Sequence, residues 1–143
     1  MASTMQQSQD RIAQMKPTDT MTKTPLIAIV DDDDAMRTSL DSLIRSFGFR
    51  TLGFSSGEAF LTSDHVRDTA CLLLDVRIPR INGLELQSRI VASEWYIPII
   101  FMTSFADDDV RIRALAAGAI DFLYKPFPEG KLLNAIEKAL HPS

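Results

Sequence analysis

Cys71-Leu72-Leu73-Leu74-Asp75 runs four apolar residues directly into a carboxylate, and Pro79 and Asn82-Gly83 follow as loop signals. A continuous apolar run of this length is the pattern of a strand buried on both faces, as inside a parallel sheet. Asp75, at its carboxyl end, then falls at the rim where open α/β sheets place their ligands.

Working outward, Leu26-Ile27-Ala28-Ile29-Val30 is a second such run; it follows Pro25 and ends in Asp31-Asp32-Asp33-Asp34. Between the two, Met36, Leu40, Leu43, Ile44 and Phe47 recur at helical steps, and Gly48 closes that helix. Residues 49–54 alternate as a strand does, and Ser55-Ser56-Gly57-Glu58 starts a short helix through Phe60 and Leu61. Polar residues over 62–69 form a loop. Past Gly83, Leu84, Leu86 and Ile90 mark a helix, and Pro98-Ile99-Ile100-Phe101-Met102 a strand ending at Thr103-Ser104. Asp107-Asp108-Asp109 caps a helix reaching Gly118, since negative charge is favoured at a helix N-terminus. Residues 120–124 make a fifth strand before Lys125-Pro126, and Leu132, Leu133, Ile136, Ala139 and Leu140 a last amphipathic helix. Strands alternating with helices over short connections predict an α/β fold: one parallel sheet, wound on both faces.

The 143 residues suit one domain, long enough to bury a core without metal or disulfide. Residues 1–24 are rich in Gln, Ser, Thr and Met and are expected to form a flexible extension; 25–143 form the domain. Lys+Arg 15 against Asp+Glu 19 gives a net charge of −4, which argues against direct nucleic-acid binding. The single Cys71 has no partner for a disulfide, and no apolar run approaches the ~18 residues of a membrane span. A cytoplasmic protein with no membrane partner is the expectation.

In a parallel sheet the carboxyl ends share one rim. The first strand brings Asp31 and Asp32 there, the third Asp75, the fourth Thr103 and the fifth Lys125. Clustered carboxylates repel unless one takes a proton or a cation joins them. Aspartate oxygens completed by water suit Mg²⁺. Such an ion could accept a phosphoryl oxygen, Lys125 a second, and Thr103 could donate to a third. Asp75 is then left as a nucleophile able to form an acyl phosphate.

Over roughly 26–140 the chain resembles a two-component response-regulator receiver domain. The resemblance rests on Ile29-Val30-Asp31-Asp32, Leu74-Asp75 with Pro79 and Gly83, Met102-Thr103-Ser104, Ala117-Gly118-Ala119, and Asp121-Phe122-Leu123-Tyr124-Lys125-Pro126-Phe127. Phe47-Gly48-Phe49 and Phe54-Ser55-Ser56-Gly57-Glu58 lean toward the nitrogen-fixation subfamily. The resemblance implies a flavodoxin-like sheet of strand order 2-1-3-4-5 and makes Asp75 the phosphoacceptor. It implies Mg²⁺ (or Mn²⁺) bound by Asp32 and Asp75 directly, by Asp31 through water, and by the backbone carbonyl of Arg77. Thr103 and Lys125 would hold the phosphoryl group, Lys125-Pro126 would be cis, and Thr103 and Phe122 would form the switch. It further implies a sensor histidine kinase or histidine phosphotransfer protein as donor and an output partner of unknown identity. Homodimerisation would use the fourth helix, fifth strand and fifth helix. Such a chain is not an enzyme acting on outside substrates; it catalyses only its own aspartyl phosphorylation and dephosphorylation.

Arg77 and Phe105, each two residues past a site residue, depart from the commonest family pattern, and Phe105 is expected to screen an acyl phosphate from water. Asp33 and Asp34 are expected to cap the first helix rather than bind metal. His65, His141 and Trp95 are expected away from the site. The rival reading is a haloacid-dehalogenase-like phosphatase, but its Asp-x-Asp-x-Thr/Val signature meets Ala35 here, and no cap insertion follows. A flavodoxin would need a hydroxyl- and glycine-rich phosphate loop where four aspartates stand. Both a stand-alone regulator and the receiver part of a DNA-binding regulator fit the sequence, and the extension over 1–24 favours the former.

Overall fold

The computed structural model describes residues 24–141. The elements run β1 (Leu26–Val30), α1 (Asp34–Ser46), β2 (Arg50–Phe54), α2 (Gly57–Leu61), β3 (Thr69–Asp75), α3 (Gly83–Ala92), β4 (Ile99–Thr103), α4 (Asp108–Ala116), β5 (Asp121–Tyr124) and α5 (Glu129–Leu140). All pairings are parallel and the strand order is 2-1-3-4-5, as expected from the resemblance. The extension expected over 1–24 lies outside the described residues except for Thr24, whose carbonyl accepts from Arg50 Nε at 2.9 Å.

Alternation along the three central strands divides the core in two. Ile27, Ile29, Cys71, Leu73, Ile100 and Met102 face one layer, where Leu40 and Ile44 of α1 meet Leu132 and Ile136 of α5. Ala28, Val30, Leu72, Leu74 and Phe101 face the other, with Phe60 of α2, Leu86 and Ile90 of α3 and Ala114 of α4. Both faces of β1, β3 and β4 are thus covered, which explains why their sequences are continuously apolar. β2 lies at an edge and keeps the mixed burial that its alternation predicts.

The first four helices start where short polar side chains can satisfy free backbone N–H groups, while α5 starts at Pro128 without a side-chain cap. The Asp33 carboxylate accepts from Met36 N, Ser56 Oγ from Ala59 N, Asn82 Oδ1 from Glu85 N, and the Asp107 carboxylate from Asp109 N and Val110 N. Asp33 is therefore a cap, as expected, while Asp34 pairs with Arg37. Trp95 is half-buried against the α3 side of the core, beside Leu61 and Val66. His65 faces solvent with its Nδ1 3.8 Å from Asp68, and His141 is exposed. Among the described residues no helix is long and apolar enough to cross a membrane.

Gly83 fixes how closely α3 approaches β3. A Cβ there would stand 2.8 Å from the Asp75 carbonyl oxygen and 3.0 Å from both the Phe101 ring and Val76 Cα. Two of those neighbours are backbone, so Gly83→Ala must displace the helix or the strand end. A loss of about 1–3 kcal/mol is expected in urea unfolding; an unchanged midpoint would show that α3 slides freely along the sheet.

Candidate phosphoryl-transfer site

Register alone brings the key carboxylates together. Val30 pairs with Leu74 across β1 and β3, so Asp31 and Asp75 stand one step on from paired neighbours at the sheet's carboxyl rim. This is also where the strand order reverses, since β1 is followed on one side by β2 and on the other by β3. Carboxylate oxygens of Asp31, Asp32 and Asp75 lie within 4.8 Å of one another. Asp31 is fully buried, Asp75 nearly so, and Asp32 is exposed.

Lys125, the first residue past β5, reaches across β4 into this cluster. Its Nζ donates to Asp75 Oδ2 at 2.8 Å and to Asp31 Oδ2 at 3.1 Å. The Lys125–Pro126 peptide bond is cis, as the resemblance implies. Burial works to lower the Lys125 pKa, but the hydrogen bonds it donates to Asp75 and Asp31 and their charges outweigh it, and the net direction is up. Burial pushes the Asp75 carboxyl up; the Lys125 hydrogen bond and the Arg77 N–H offset part of this, and the Asp31 charge adds to it.

Three carboxylates and one ammonium leave an uncompensated double negative charge, with two of the carboxylates buried and Asp32 exposed. Hard oxygen donors with that residual charge fit a divalent cation such as Mg²⁺, and Asp32 keeps the group open to water. The donor set therefore suits the implied ion.

Several neighbours fix the cluster's geometry. Asp31 Oδ1 accepts from Asp33 N and Asp75 Oδ1 from Arg77 N, each at 2.9 Å. Arg37 of α1 donates from Nη1 to the Asp31 carbonyl at 2.7 Å, and its stem lies 3.1 Å from where a Cβ on Gly53 would be. Sequence reasoning missed Arg37. Its place one helical turn after Asp34 was visible, but its contact with the β1 end required the turn between them.

Thr103 and Phe122 make their contacts with other residues than the carboxylates. The buried Thr103 hydroxyl accepts from Phe105 N at 3.1 Å, and its carbonyl accepts from Lys125 N at 2.7 Å. The Phe122 ring is turned inward, 5.9 Å from Phe101 and 5.5 Å from Tyr124 between centroids. Arg77 and Phe105, which no sequence signal joins, touch across the mouth: the Arg77 guanidinium carbon lies 3.9 Å over the Phe105 ring centroid.

The model of the response regulator receiver domain matches residues 27–137. The chain is 46% identical over 115 residues to the response regulator protein TmoT of Ectopseudomonas mendocina, covering 80% of this chain and 52% of that protein. It is 39% identical over 120 residues to the transcriptional regulatory protein FixJ of Bradyrhizobium diazoefficiens, covering 84% of this chain and 58% of FixJ. The chain thus spans little more than half the length of these relatives. Among solved structures, the FixJ-N crystal structure superposes with a TM-score of 0.76 at 34% identity, covering 83% of this chain and 95% of that one.

The raised Asp75 pKa sets a sign for stability. A carboxyl whose folded value lies above its ordinary 3.8 stabilises the fold fully below that value, and the contribution is lost as pH rises through the folded one. Without divalent cation, Asp75→Asn escapes this loss. Its urea midpoint is expected to gain on that of wild type as pH rises above about 4. A variant losing ground as pH rises would mean that the Lys125 ion pair outweighs burial.

Proposed function

Since the chain belongs to the response regulator receiver domain family of two-component signalling, we propose that Asp75 is its phosphoacceptor and that phosphorylation alters its surface to control a partner. The observation that carries this is the single ammonium of Lys125 shared by Asp75 and Asp31 beside the exposed Asp32. The alternative of a phosphatase finds no comparable support.

In the transfer, an Asp75 carboxylate oxygen attacks phosphorus, and the donor's leaving group departs with the electron pair of the broken bond. Mg²⁺ or Mn²⁺, when bound, neutralises the carboxylates and stabilises charge on the phosphoryl oxygens. Asp32 and Asp75 would hold that ion directly, Asp31 through water, and the Arg77 backbone carbonyl would complete the protein ligands. Lys125 is already 2.8 Å from Asp75 Oδ2 and would turn to a phosphoryl oxygen. Thr103 would leave Phe105 N and donate its hydroxyl proton to another. That movement frees space toward which the Phe122 ring can rotate from between Phe101 and Tyr124, giving the packing switch.

A sensor histidine kinase or a histidine phosphotransfer protein would be the donor. The output surface would comprise α4, β5 and α5, where Ile112 is 57% exposed and could pair across a homodimer. A cytoplasmic setting is consistent with these partners, and the net charge of −4 favours protein contacts over direct nucleic-acid binding.

Incubation with acetyl phosphate and Mg²⁺ is expected to give an alkali-labile phosphoprotein band that Asp75→Asn and chelator both abolish. Label persisting in Asp75→Asn would overturn the assignment. Phe105 is half-exposed at the mouth beneath the Arg77 guanidinium. Phe105→Ser should shorten the lifetime of the phosphorylated form about tenfold or less, and Arg77→Ala by a smaller factor in the same direction. Equal lifetimes in all three proteins would remove the screening role.

A further inference from the structure

α4 is thinly seated on the fold. Ala114 is its one buried residue, Val110 is half-buried, and Ile112 and Leu115 are 57% and 37% exposed. Its ion pairs, Arg111 with Asp108 and Arg113 with Asp109, stay within the helix. Among the described residues one side-chain hydrogen bond ties α4 to another helix or strand. The buried Gln87 of α3 donates from Nε2 to the Ala114 carbonyl at 3.0 Å.

That carbonyl is already engaged on its other side. Gly118, at φ 107°, ends the helix so that Ala119 N donates to the Ala114 oxygen and Gly118 N to the Leu115 oxygen, each at 3.0 Å. A carbonyl oxygen has two lone pairs, so Ala114 is saturated by one donor on α3 and one on the lead into β5.

The two ends of α4 are therefore held differently. Displacing the carboxyl end would strip a buried amide and a buried carbonyl of their shared bond, the costly case for polar groups away from water. At the amino end residues 104–109 are all exposed, and the Asp107 cap travels with the helix it caps. That end joins the site through the β4–α4 loop, where Phe105 N donates to the Thr103 hydroxyl. Gln87 stands where α3 also supplies Leu86 and Ile90 to the core layer shared with Ala114, and an apolar side chain there would need no partner. A buried polar pair in such a layer serves to fix one register between the elements it joins.

We propose that Gln87 is a positioning residue that pins the carboxyl end of α4, so that the helix answers phosphorylation by pivoting about Ala114 while its amino end moves. This rests on Asp75 as phosphoacceptor and on the release of Phe105 N by Thr103. The released loop frees the amino end, and the Gln87 bond keeps the other end, with the lead into β5, in place. Displacement then grows with distance from Ala114. Asp108 lies about 9 Å along the axis from that residue, so a tilt of about 15° carries it about 2 Å.

Spin-label distances test the pivot. Nitroxides on Ser42→Cys of α1, across the sheet, and on either Asp108→Cys or Ala116→Cys report the two ends of α4; Cys71 is buried and stays unlabelled. Mg²⁺ with beryllofluoride, a phosphoryl stand-in, is expected to change the 42–108 distance by about 2 Å and the 42–116 distance by about a third as much. In the Gln87→Met background, which keeps the bulk and loses the donor, the two changes should become equal. Equal changes with Gln87 in place, or unequal ones persisting in Gln87→Met, overturn the proposal. Amide exchange in the free protein gives a second reading. Gln87→Met should speed exchange at Ala119, whose N–H shares the Ala114 oxygen, about fivefold relative to Leu73 in the central sheet. An unchanged ratio also overturns the pin. If beryllofluoride moves neither distance, the phosphoacceptor reading fails, and exchange at Ala119 still decides the pin.

Discussion

One lysine bridging two buried aspartates organises the functional end of this molecule. Asp31 and Asp75 come from adjacent central strands and Lys125 from the opposite side of β4, so the bridge is closed only when all three strands are in register. Charges taken out of water are costly, and their attraction repays this only with good geometry and filled hydrogen-bonding capacity. That geometry is supplied by backbone N–H groups of Asp33 and Arg77, each donating to the carboxylate oxygen that Lys125 does not bond. The residual negative charge left after one ammonium is matched to three carboxylates is one that a divalent cation would compensate.

The scaffold beneath is arranged to keep those strand ends fixed. Leucine, isoleucine and valine side chains lock both faces of β1, β3 and β4 between helices, so the rim cannot shift without disturbing two core layers at once. The loops just beyond carry the adjustable groups. Thr103 bonds its hydroxyl to a loop N–H rather than to the carboxylates, and Arg77 and Phe105 link two loops by a contact at the surface. A contact of that kind contributes about 0.5–1 kcal/mol, small enough to yield when the chemistry below changes. Rigid strands and yielding loops together would suit the switch proposed above.

The same loops border a groove whose apolar floor belongs to the core and whose charged ends belong to the mouth. Arg77 thus borders both Asp75 and the groove. That residue joins them through its backbone on one side and its guanidinium on the other.

Much of this was legible in the chain itself. Apolar runs ending in Asp31, Asp75 and Thr103 reveal buried parallel strands, because a strand covered on both faces has no polar position to show. Turn and cap residues such as Asp33, Asn82 and Asp107 mark the helix starts because their side chains replace missing backbone partners. The aspartates, Thr103 and Lys125 could be placed on one rim because parallel strands share a direction. Tertiary structure alone decided which of them touch. Lys125 chose Asp31 as well as Asp75, Thr103 faced Phe105 N, Arg37 reached back to the Asp31 carbonyl, and Arg77 covered Phe105. These contacts depend on loop paths and rotamers set by neighbours far along the chain, which no local pattern encodes.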